Sequence, residues 1–371
     1  MKKIKKFIKS LMYLLAPTKR ICFESCPDVG DNSKAVFDEM IKRGLNKKYK
    51  LTWLLHDDYD NYSKIKNVEY VKKGTKEYQK AMRTAKCFIC CNRFVYSNLK
   101  MQSSFFLTHG MYVKSPKAYY KVPSEINYCL SASEGLKEMQ ANAISAPIEK
   151  MFALGYPRND ILTTFKADLS KYFGVYDKYV VWYPTFRQHN SGMGTGSEHA
   201  FPIIWDEESA TKVNKQAEKD NVLIILKPHF AQDTTKIKSL NLTNIRLIDD
   251  NFFKENNLTS YEFVASCDAL LTDYSSIYFD YTLCDKPIGL IWEDYEDYAK
   301  NPGFAFDMSL YMKGGEKIYN ADEFCNFINN VAMDNDLLKV ERREIRDLSN
   351  YSTDGKSSVR VTDFIIKKAN L

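Results

Sequence analysis

Short apolar segments alternate with polar, helix-like segments along almost the whole chain. The helix-like segments include residues 33–43, 75–84 and 133–143. The predicted strands are residues 20–25, 51–56, 68–71, 87–91, 105–108, 128–131 and 151–154 in the first half, and 179–183, 222–227, 245–247, 269–272 and 288–292 in the second. Strands and helices that alternate at this spacing form parallel sheets covered by helices on both faces, so the sequence predicts an α/β protein.

The length of 371 residues exceeds the usual size of one compact core, and two domains are therefore expected. Because each half has its own set of strands, we predict two Rossmann-like, doubly wound domains with a central cleft. The predicted domains are residues 19–170 and 171–350. A helix at about 355–369, in the terminal segment 351–371, is expected to pack across both domains. Ligands of open parallel sheets bind beyond the carboxyl ends of the strands, so the chemistry is expected there.

The positive charge of the chain is concentrated at its start. The sequence has 53 Lys and Arg against 47 Asp and Glu, a net charge of +6, but seven of the basic residues and none of the acidic ones lie within residues 1–20. The remaining 46 basic and 47 acidic residues leave the body with a net charge of −1. A nucleic-acid-binding protein would spread Lys and Arg over a folded face, so nucleic acid is not an expected partner.

Residues 1–18 have the pattern of a basic amphipathic helix. Its apolar stripe consists of Ile4, Phe7, Ile8, Leu11, Leu14 and Leu15. Such a helix can lie in the interface of an anionic membrane, and we predict that residues 1–16 bind one. An ordinary surface helix packed on the body is the alternative. No apolar run approaches the roughly 20 residues that span a bilayer.

The nine cysteines do not form a pattern that indicates disulfides or a metal. They are scattered, their number is odd, and no Cys-x-x-Cys pair recurs at zinc spacing. We expect reduced, mostly buried thiols. Acidic pairs such as Asp249-Asp250 and Glu293-Asp294 are interpreted as solvated turns, and no pair of His, Asp or Glu has the spacing of a helical metal site. Neither a cofactor nor a divalent metal is predicted.

One polar cluster follows the predicted strand 269–272. Ser275 and Ser276 come three and four residues after its end and could begin a helix. A helix N-terminus offers unpaired N–H groups and the positive end of a dipole, which suits a phosphate, and the two hydroxyls would add donors. The alternative is that both serines only cap the helix.

Two further clusters follow neighbouring strands of the second half. Lys227 and His229 lie at the end of strand 222–227, and Arg187 follows strand 179–183. A guanidinium can grip a phosphate by two parallel hydrogen bonds. Each of these side chains alone is more often a surface charge, but three clusters at the ends of neighbouring strands favour an anion site.

In the first half, His109 and Gly110 follow the strand 105–108. A histidine is the side chain best suited to take a proton near neutral pH, and the glycine would let a substrate or the backbone come close. A structural histidine at a strand end is the alternative. The glycine-rich segment 191–197 matches neither a Walker loop nor a dinucleotide fingerprint, and we interpret it as a mobile loop.

Taken in order, these clusters resemble the CDP-glycerol glycerophosphotransferase family, which includes teichoic acid and capsule polymerases and primases. The resemblance extends over roughly residues 20–362. The matching segments are Phe23-Glu24-Ser25, Asp31-Asn32-Ser33-Lys34-Ala35, Thr108-His109-Gly110, Gly155-Tyr156-Pro157-Arg158-Asn159-Asp160, Pro184-Thr185-Phe186-Arg187, Lys227-Pro228-His229, Asp273-Tyr274-Ser275-Ser276 with Phe279-Asp280, Lys286-Pro287, and Asp354-Gly355-Lys356-Ser357-Ser358 with Arg360.

The resemblance implies a GT-B-like arrangement of the two domains, with residues 19–170 on the acceptor side and residues 171–350 binding the CDP donor. Such enzymes move an alditol phosphate from a CDP carrier to a hydroxyl of a lipid-linked polymer and release CMP, at the inner face of the membrane. By similarity, His109 would be the general base and His229 would lie at the pyrophosphate. The implied donor-binding residues are Arg187, Thr185, Lys227, Ser275 and Ser276, supported by Asp280; Gly110, Arg158, Asp160, Asp273 and Arg360 complete the matching motifs.

Two segments depart from the family pattern. After His109-Gly110 the family commonly continues Thr-Pro-Leu, whereas this chain reads Met111-Tyr112-Val113-Lys114. The family commonly has an arginine before the Gly303-Phe304 pair, whereas this chain has Pro302. The acceptor is therefore left open, and CDP-ribitol or another CDP-alditol is an alternative donor to CDP-glycerol.

Two other functions compete with this hypothesis. A GT-B glycosyltransferase that uses a nucleotide sugar would share the fold, but it would favour an acidic base or a glutamate on the nucleotide ribose. A catalytically silent membrane scaffold would have no need for His109, His229 and Arg187 together.

Overall fold

The computed structural model describes residues 19–57, 64–97, 101–114, 121–187, 201–229, 232–300 and 303–371. The predicted arm at residues 1–18, the glycine-rich segment 191–197 and Pro302 lie outside the described residues. The chain divides into two compact units. The first falls within Met1–Gly110, Tyr120–Asp160 and Tyr351–Leu371, and the second within Met111–Tyr119 and Ile161–Asn350.

The first unit contains a parallel sheet whose seven strands, among the described residues, follow the order β3-β2-β1-β4-β5-β6-β7. These strands are β1 (Arg20–Glu24), β2 (Lys50–Leu55), β3 (Val68–Lys72), β4 (Ala85–Cys90), β5 (Ser103–Phe106), β6 (Tyr128–Ser131) and β7 (Met151–Ala153). Its helices include α1 (Asp31–Lys42), α2 (Lys76–Thr84) and α3 (Lys137–Ala143), with 3₁₀ turns at Leu45–Lys47, Ile148–Lys150 and Pro157–Asp160. The strand order reverses between β1 and β4, which is where ligands bind in folds of this kind.

Aromatic side chains hold α1 on the centre of this sheet. The ring of Phe23 on β1 lies 5.3 Å from that of Phe37 on α1 and 5.4 Å from that of Trp53 on β2. All five residues of β1 are buried. Central strands of a parallel sheet are covered on both faces, and for this reason β1 appears in the sequence as a nearly continuous apolar run.

The second unit contains a parallel sheet of six strands, within the described part of the chain, in the order β10-β9-β8-β11-β12-β13. These strands are β8 (Lys178–Trp182), β9 (Val222–Leu226), β10 (Ile245–Leu247), β11 (Ala269–Thr272), β12 (Ile288–Ile291) and β13 (Glu316–Ile318). The helices are α4 (Ile161–Thr164), α5 (Ser170–Phe173), α6 (Glu207–Lys219), α7 (Thr235–Ser239), α8 (Asp250–Glu255), α9 (Ser260–Ser266), α10 (Ile277–Tyr281), α11 (Tyr295–Lys300), α12 (Met308–Tyr311), α13 (Ala321–Ala332) and α14 (Lys339–Ser349), with a 3₁₀ turn at Thr282–Cys284. Here the strand order reverses between β8 and β11.

The predicted C-terminal helix is confirmed as α15 (Ser357–Ala369). Val361 and Ile365 on this helix are buried in the hydrophobic core of the first unit. The ring of Phe364 stacks on that of Phe152, with 4.1 Å between the centroids. These contacts hold the helix on the first unit, and its predicted packing across both domains stays a prediction.

Every strand predicted from the sequence is present, with ends that differ by at most two residues, and the prediction of two Rossmann-like α/β domains is confirmed. The strand that the sequence analysis missed is β13. It is three residues long, contains Glu316 and Lys317, and pairs with β12 at the edge of the sheet, so it has no continuous apolar run. None of the described helices is long and apolar enough to cross a membrane.

Candidate functional site

Asp273 connects two loops at the point where the strand order of the second sheet reverses. It follows β11 directly and is fully buried. One of its carboxylate oxygens accepts hydrogen bonds from the backbone N–H of Thr185, at 2.8 Å, and from Nη1 of Arg187, at 2.6 Å. The other accepts a hydrogen bond from the Thr185 hydroxyl. Three of the residues predicted for the site therefore lie together, and they bind one another.

Arg187 is 2% exposed and is held by two carboxylates. Besides its bond to Asp273, it donates from Nε and Nη2 to Asp294, at 2.7 and 3.0 Å. Burial by itself would lower the pKa of the guanidinium, but the two carboxylates outweigh burial and raise it. In turn, burial would raise the pKa of Asp294, but the hydrogen bonds and charge of Arg187 hold it below its ordinary value. Arg187 is thus a buried anchor in this structure, and its predicted grip on a donor phosphate stays a prediction.

The interpretation of Glu293-Asp294 as a solvated turn is wrong for Asp294, whose side chain is 9% exposed. Its Oδ1 also accepts a hydrogen bond from the Tyr274 hydroxyl, at 3.0 Å. Asp280, on α10, is buried as well and accepts a hydrogen bond from the Tyr261 hydroxyl on α9. These acidic side chains brace the loop after β11 from inside the unit.

Ser275 and Ser276 do not cap the helix that follows them. Helix α10 begins at Ile277, and Ser276 has φ −62° and ψ −19°, whereas a capping residue needs an extended backbone. Neither hydroxyl makes a hydrogen bond with another described residue, and both residues are half-buried. The capping alternative is therefore wrong. The two hydroxyls remain able to donate to a ligand, and their phosphate role stays a prediction.

Lys227 and His229 line a cavity of about 730 Å³ at the carboxyl end of β9. Nζ of Lys227 pairs with Asp250 at 2.8 Å. His229 is exposed, and its ring centroid lies 4.7 Å from that of Phe186. Desolvation lowers the pKa of His229, and the charge of Lys227 lowers it further. The remaining lining residues are Pro228, Gln232, Thr234, Lys238, Leu247, Ile248, Asp249, Asn251, Phe252 and Glu255.

Lys114 is a residue of the second unit to which the sequence analysis gave no role. Its backbone forms an isolated antiparallel bridge with Phe304, and the carbonyl of Val113 accepts a hydrogen bond from the N–H of Ala305 at 3.0 Å. Burial lowers the pKa of the Lys114 ammonium, and the charge of Asp273 opposes the shift. The signal that the sequence offers for Lys114 is its position shortly after His109-Gly110. Residue spacing does not show that its side chain comes close to Asp273.

In the first unit, His109 lies just beyond β5 on a backbone that is fixed from both sides. Nδ2 of Asn32 donates to the carbonyl of Thr108 at 2.9 Å, and Nη1 of Arg158 donates to the carbonyl of His109 at 2.7 Å. Gly110 has φ 137°, a value that side chains disfavour. Burial lowers the pKa of His109, with Asp31 opposing and Arg158 reinforcing the shift. The imidazole is therefore neutral near pH 7, as a proton acceptor must be.

The other first-unit motif residues hold the framework. Both oxygens of Asp160 accept hydrogen bonds at the start of α15, from the backbone N–H of Ser357 at 2.7 Å and that of Ser358 at 2.8 Å. Arg360 binds both oxygens of Asp354, at 2.8 and 2.7 Å. A carboxylate at a helix N-terminus satisfies orphan N–H groups and complements the dipole. The sequence grouped Asp160 and Arg360 with the site, and the structure places both at this helix start.

All nine cysteines are free, and seven are buried, so the expectation of reduced, mostly buried thiols is confirmed. Burial raises the pKa of the Cys22 thiol to about 12, for example. Among the described residues, no three or more His, Cys, Asp or Glu side chains form a group that could hold a metal ion.

Comparisons with known proteins identify relatives of the whole chain. The model of a family described as CDP-glycerol:poly(glycerophosphate) glycerophosphotransferase matches residues 7–367. The chain is 27% identical over 353 residues to the teichoic acid glycerol-phosphate transferase of Staphylococcus aureus (strain NCTC 8325 / PS 47), covering 84% of this chain and 85% of that protein. It is 24% identical over 327 residues to a teichoic acid poly(glycerol phosphate) polymerase of Bacillus spizizenii, covering 80% of this chain and 79% of that protein.

Among solved structures, the wall teichoic acid polymerase TagF matches with a TM-score of 0.75 and 21% identity, covering 100% of this chain and 96% of that one. The UDP-GlcNAc 2-epimerase of Neisseria meningitidis matches with a TM-score of 0.52 and 10% identity, covering 94% of this chain and 100% of that one. At these identities the two likenesses concern the fold.

Proposed function

Because the chain belongs to the CDP-glycerol:poly(glycerophosphate) glycerophosphotransferase family, we propose that it transfers glycerol phosphate from CDP-glycerol to a hydroxyl of a lipid-linked cell-wall or capsule polymer and releases CMP. The enzyme is a transferase, and its relatives in Staphylococcus aureus and Bacillus spizizenii are named for glycerol-phosphate transfer in teichoic acid synthesis. CDP-ribitol is the alternative donor.

One arrangement carries the proposal. At the carboxyl edge of the second sheet, Lys227 and His229 line a cavity of about 730 Å³. At the same edge, Ser275 and Ser276 have hydroxyls that bind no other described residue. A cation and an imidazole that line a cavity, with two hydroxyl donors at the same edge of the sheet, suit a pyrophosphate and its nucleoside. The buried contacts of Arg187 with Asp273 and Asp294 join the loops that follow β8, β11 and β12, and we propose that they hold these loops in place for this ligand.

In the proposed reaction, the acceptor hydroxyl attacks the phosphorus that carries the glycerol. The bond from that phosphorus to the bridging oxygen breaks, and this oxygen leaves as part of CMP. His109 takes the proton of the hydroxyl, and the lowered pKa of its imidazole keeps it neutral and ready to do so. Lys227 and His229 donate to the oxygens on which charge develops, since phosphoryl transfer relies on positioning and electrostatic stabilisation.

We also place the enzyme at the cytoplasmic face of the membrane, bound through residues 1–16. The support is the basic amphipathic pattern of that segment beside a body whose net charge is −1. A lipid-linked acceptor would then be reached by an enzyme that is already at the surface.

The test is CMP release by the purified full-length protein with a lipid-linked or oligomeric acceptor and, in parallel, CDP-glycerol, CDP-ribitol and UDP-sugars. Turnover with a CDP-alditol is expected, and turnover with a UDP-sugar alone would overturn the proposal.

His109→Asn is expected to lower turnover by about 10²–10⁴-fold and to leave donor affinity unchanged. His229→Asn serves as the contrasting variant, because it should weaken donor binding too. A His109→Asn enzyme with full turnover would contradict the base assignment.

A further inference from the structure

Four side chains with unsatisfied polar atoms meet where the strand order of the first sheet reverses. Glu24 ends β1, Asp28 lies in the loop after it, His56 follows β2, and Arg93 follows β4. Each has one buried atom that makes no hydrogen bond to the described residues: Oε1 of Glu24, Oδ1 of Asp28, Nε2 of His56 and Nη1 of Arg93. Glu24 belongs to the matching segment Phe23-Glu24-Ser25, but no role was predicted from the sequence for any of the four.

The backbone holds each carboxylate by one oxygen and leaves the other oxygen unbound. Oε2 of Glu24 accepts a hydrogen bond from the N–H of Arg93 at 3.1 Å. Oδ2 of Asp28 accepts hydrogen bonds from the N–H groups of His56 and Asp57, at 2.8 and 2.9 Å. Nη1 of Arg93 lies 4.0 Å from Oε1 of Glu24, which is too far for a hydrogen bond. The side chains are thus fixed in position without satisfying one another.

Such an arrangement opposes folding, since a buried polar atom without a partner loses its hydration and gains nothing in return. Native proteins satisfy the great majority of buried polar groups, so four unsatisfied atoms in one cluster indicate a polar ligand. The cluster runs from the surface inwards: the side chain of Arg93 is 41% exposed, whereas that of Glu24 is fully buried.

The chemistry of the four groups defines the ligand. Burial raises the pKa of Glu24 to about 7, so near neutral pH its carboxyl can donate to a hydroxyl or accept from one. Burial, assisted by the charge of Arg93, lowers the pKa of His56, whose imidazole is then neutral and also able to do either. Asp28 offers an acceptor, and Arg93 offers a cation at the outer end. Three side chains that can bind hydroxyls lie further inside the unit than one cation that can bind an anion. This combination suits a polyol phosphate.

The cluster adjoins the proposed base. His109 is hydrogen-bonded to the backbone of Cys91, two residues before Arg93. Cys91 also donates from Sγ to the carbonyl of Glu24.

We propose that Glu24, Asp28, His56 and Arg93 form a subsite for the polyol-phosphate end of the acceptor. Arg93 would bind a phosphate oxygen, and the other three would bind hydroxyls. This inference rests on the proposed transfer reaction, for which it names the acceptor-binding residues.

Arg93→Met and Glu24→Gln test the subsite, with Asp38→Asn as control, because Asp38 forms an exposed ion pair with Lys34 in the same unit. With the full-length enzyme, Arg93→Met is expected to raise the acceptor KM about 10- to 100-fold, the worth of a charged hydrogen bond, and to leave the KM for CDP-glycerol unchanged. Glu24→Gln should raise the acceptor KM without lowering the thermal midpoint, whereas a residue needed only for folding would lower the midpoint and leave the KM alone.

Binding of a synthetic glycerol-phosphate trimer, measured by calorimetry without donor, separates this inference from the proposed function. Weaker trimer binding by Arg93→Met and Glu24→Gln than by Asp38→Asn supports the subsite even if the wild type releases no CMP from CDP-glycerol. Equal trimer binding by all three variants, or an ordered water as the sole partner of the four atoms in an acceptor-bound crystal, would overturn it.

Discussion

Replacing Arg187 with methionine distinguishes a buried anchor from a ligand of the donor phosphates. In the structure, Nη1 of Arg187 lies 2.6 Å from Asp273 and Nε lies 2.7 Å from Asp294. Methionine retains much of the side-chain volume but removes the charge. Two carboxylates that are 1% and 9% exposed would then remain in the interior without a counter-charge.

Removing one partner of a buried ion pair costs about 3–5 kcal/mol, because the remaining charge is desolvated and unpaired. For a unit of roughly 200 residues, each kcal/mol shifts the unfolding midpoint by about 2–4 °C. We therefore expect Arg187→Met to lower the midpoint of the second unit by roughly 6–20 °C. The matched control is Arg343→Met in the same unit, whose guanidinium is 48% exposed and pairs with Asp285. Loss of a surface pair costs about 1 kcal/mol or less.

The dependence on pH provides a second check. The pKa of Asp294 is lowered in the folded state, where Arg187 outweighs the effect of burial. A lowered carboxylate pKa contributes stability above the unfolded value of about 4, and this stability is lost as the pH falls through the folded value. The wild type should therefore lose stability below about pH 4, and Arg187→Met should lose less over the same range.

The assay is thermal unfolding followed by tryptophan fluorescence, with CDP-glycerol affinity measured below the transition. A midpoint within about 2 °C of wild type, together with donor binding weakened by tenfold or more, would refute the anchor argument. It would mean instead that Arg187 contacts the donor phosphates, as the sequence predicts.

Three other outcomes are expected. Gly155→Ala should destabilise the docking of α15, because a Cβ there would clash with Oγ of Ser357. Gly174 has a similar φ of +89° and open space around it, so Gly174→Ala isolates the backbone strain, and equal unfolding midpoints for the two variants would contradict the clash. Deleting residues 1–16 should release the protein from anionic liposomes in a flotation assay, and retention would refute the arm's role. Lys114→Met should weaken CDP-glycerol binding about tenfold if its ammonium acts on the donor phosphates; unchanged affinity in a titration would exclude that role.

The sheets could be predicted from sequence because their signal is local. Central strands such as β1 and β9 are buried on both faces, so burial appears as an uninterrupted apolar run. The edge strand β13 has one partner strand and a polar sequence, and it was missed. The reversal of strand order follows from pairing between distant segments, which no local pattern contains.

Side-chain roles were harder to predict than positions. The sequence placed Ser275 and Ser276 at a strand end correctly, but whether they cap α10 depends on the backbone angle at Ser276. It grouped Asp160 with the site, although Asp160 binds the first N–H groups of α15, almost 200 residues further along the chain. The cluster of Glu24, Asp28, His56 and Arg93 comes from three separate loops, and nothing in their spacing shows that they meet.

The sequence by itself determined the alternation of strands and helices, the division into two α/β halves, the family, and the strand ends at which polar residues collect. These depend on residue types within a few positions of one another. Only the tertiary structure decided what each charged side chain faces. The carboxylates that surround Arg187 lie 86 and 107 residues further along the chain. Whether a guanidinium meets a phosphate or a carboxylate depends on which distant loops the fold brings against it, since electrostatic interactions act through space and not along the chain.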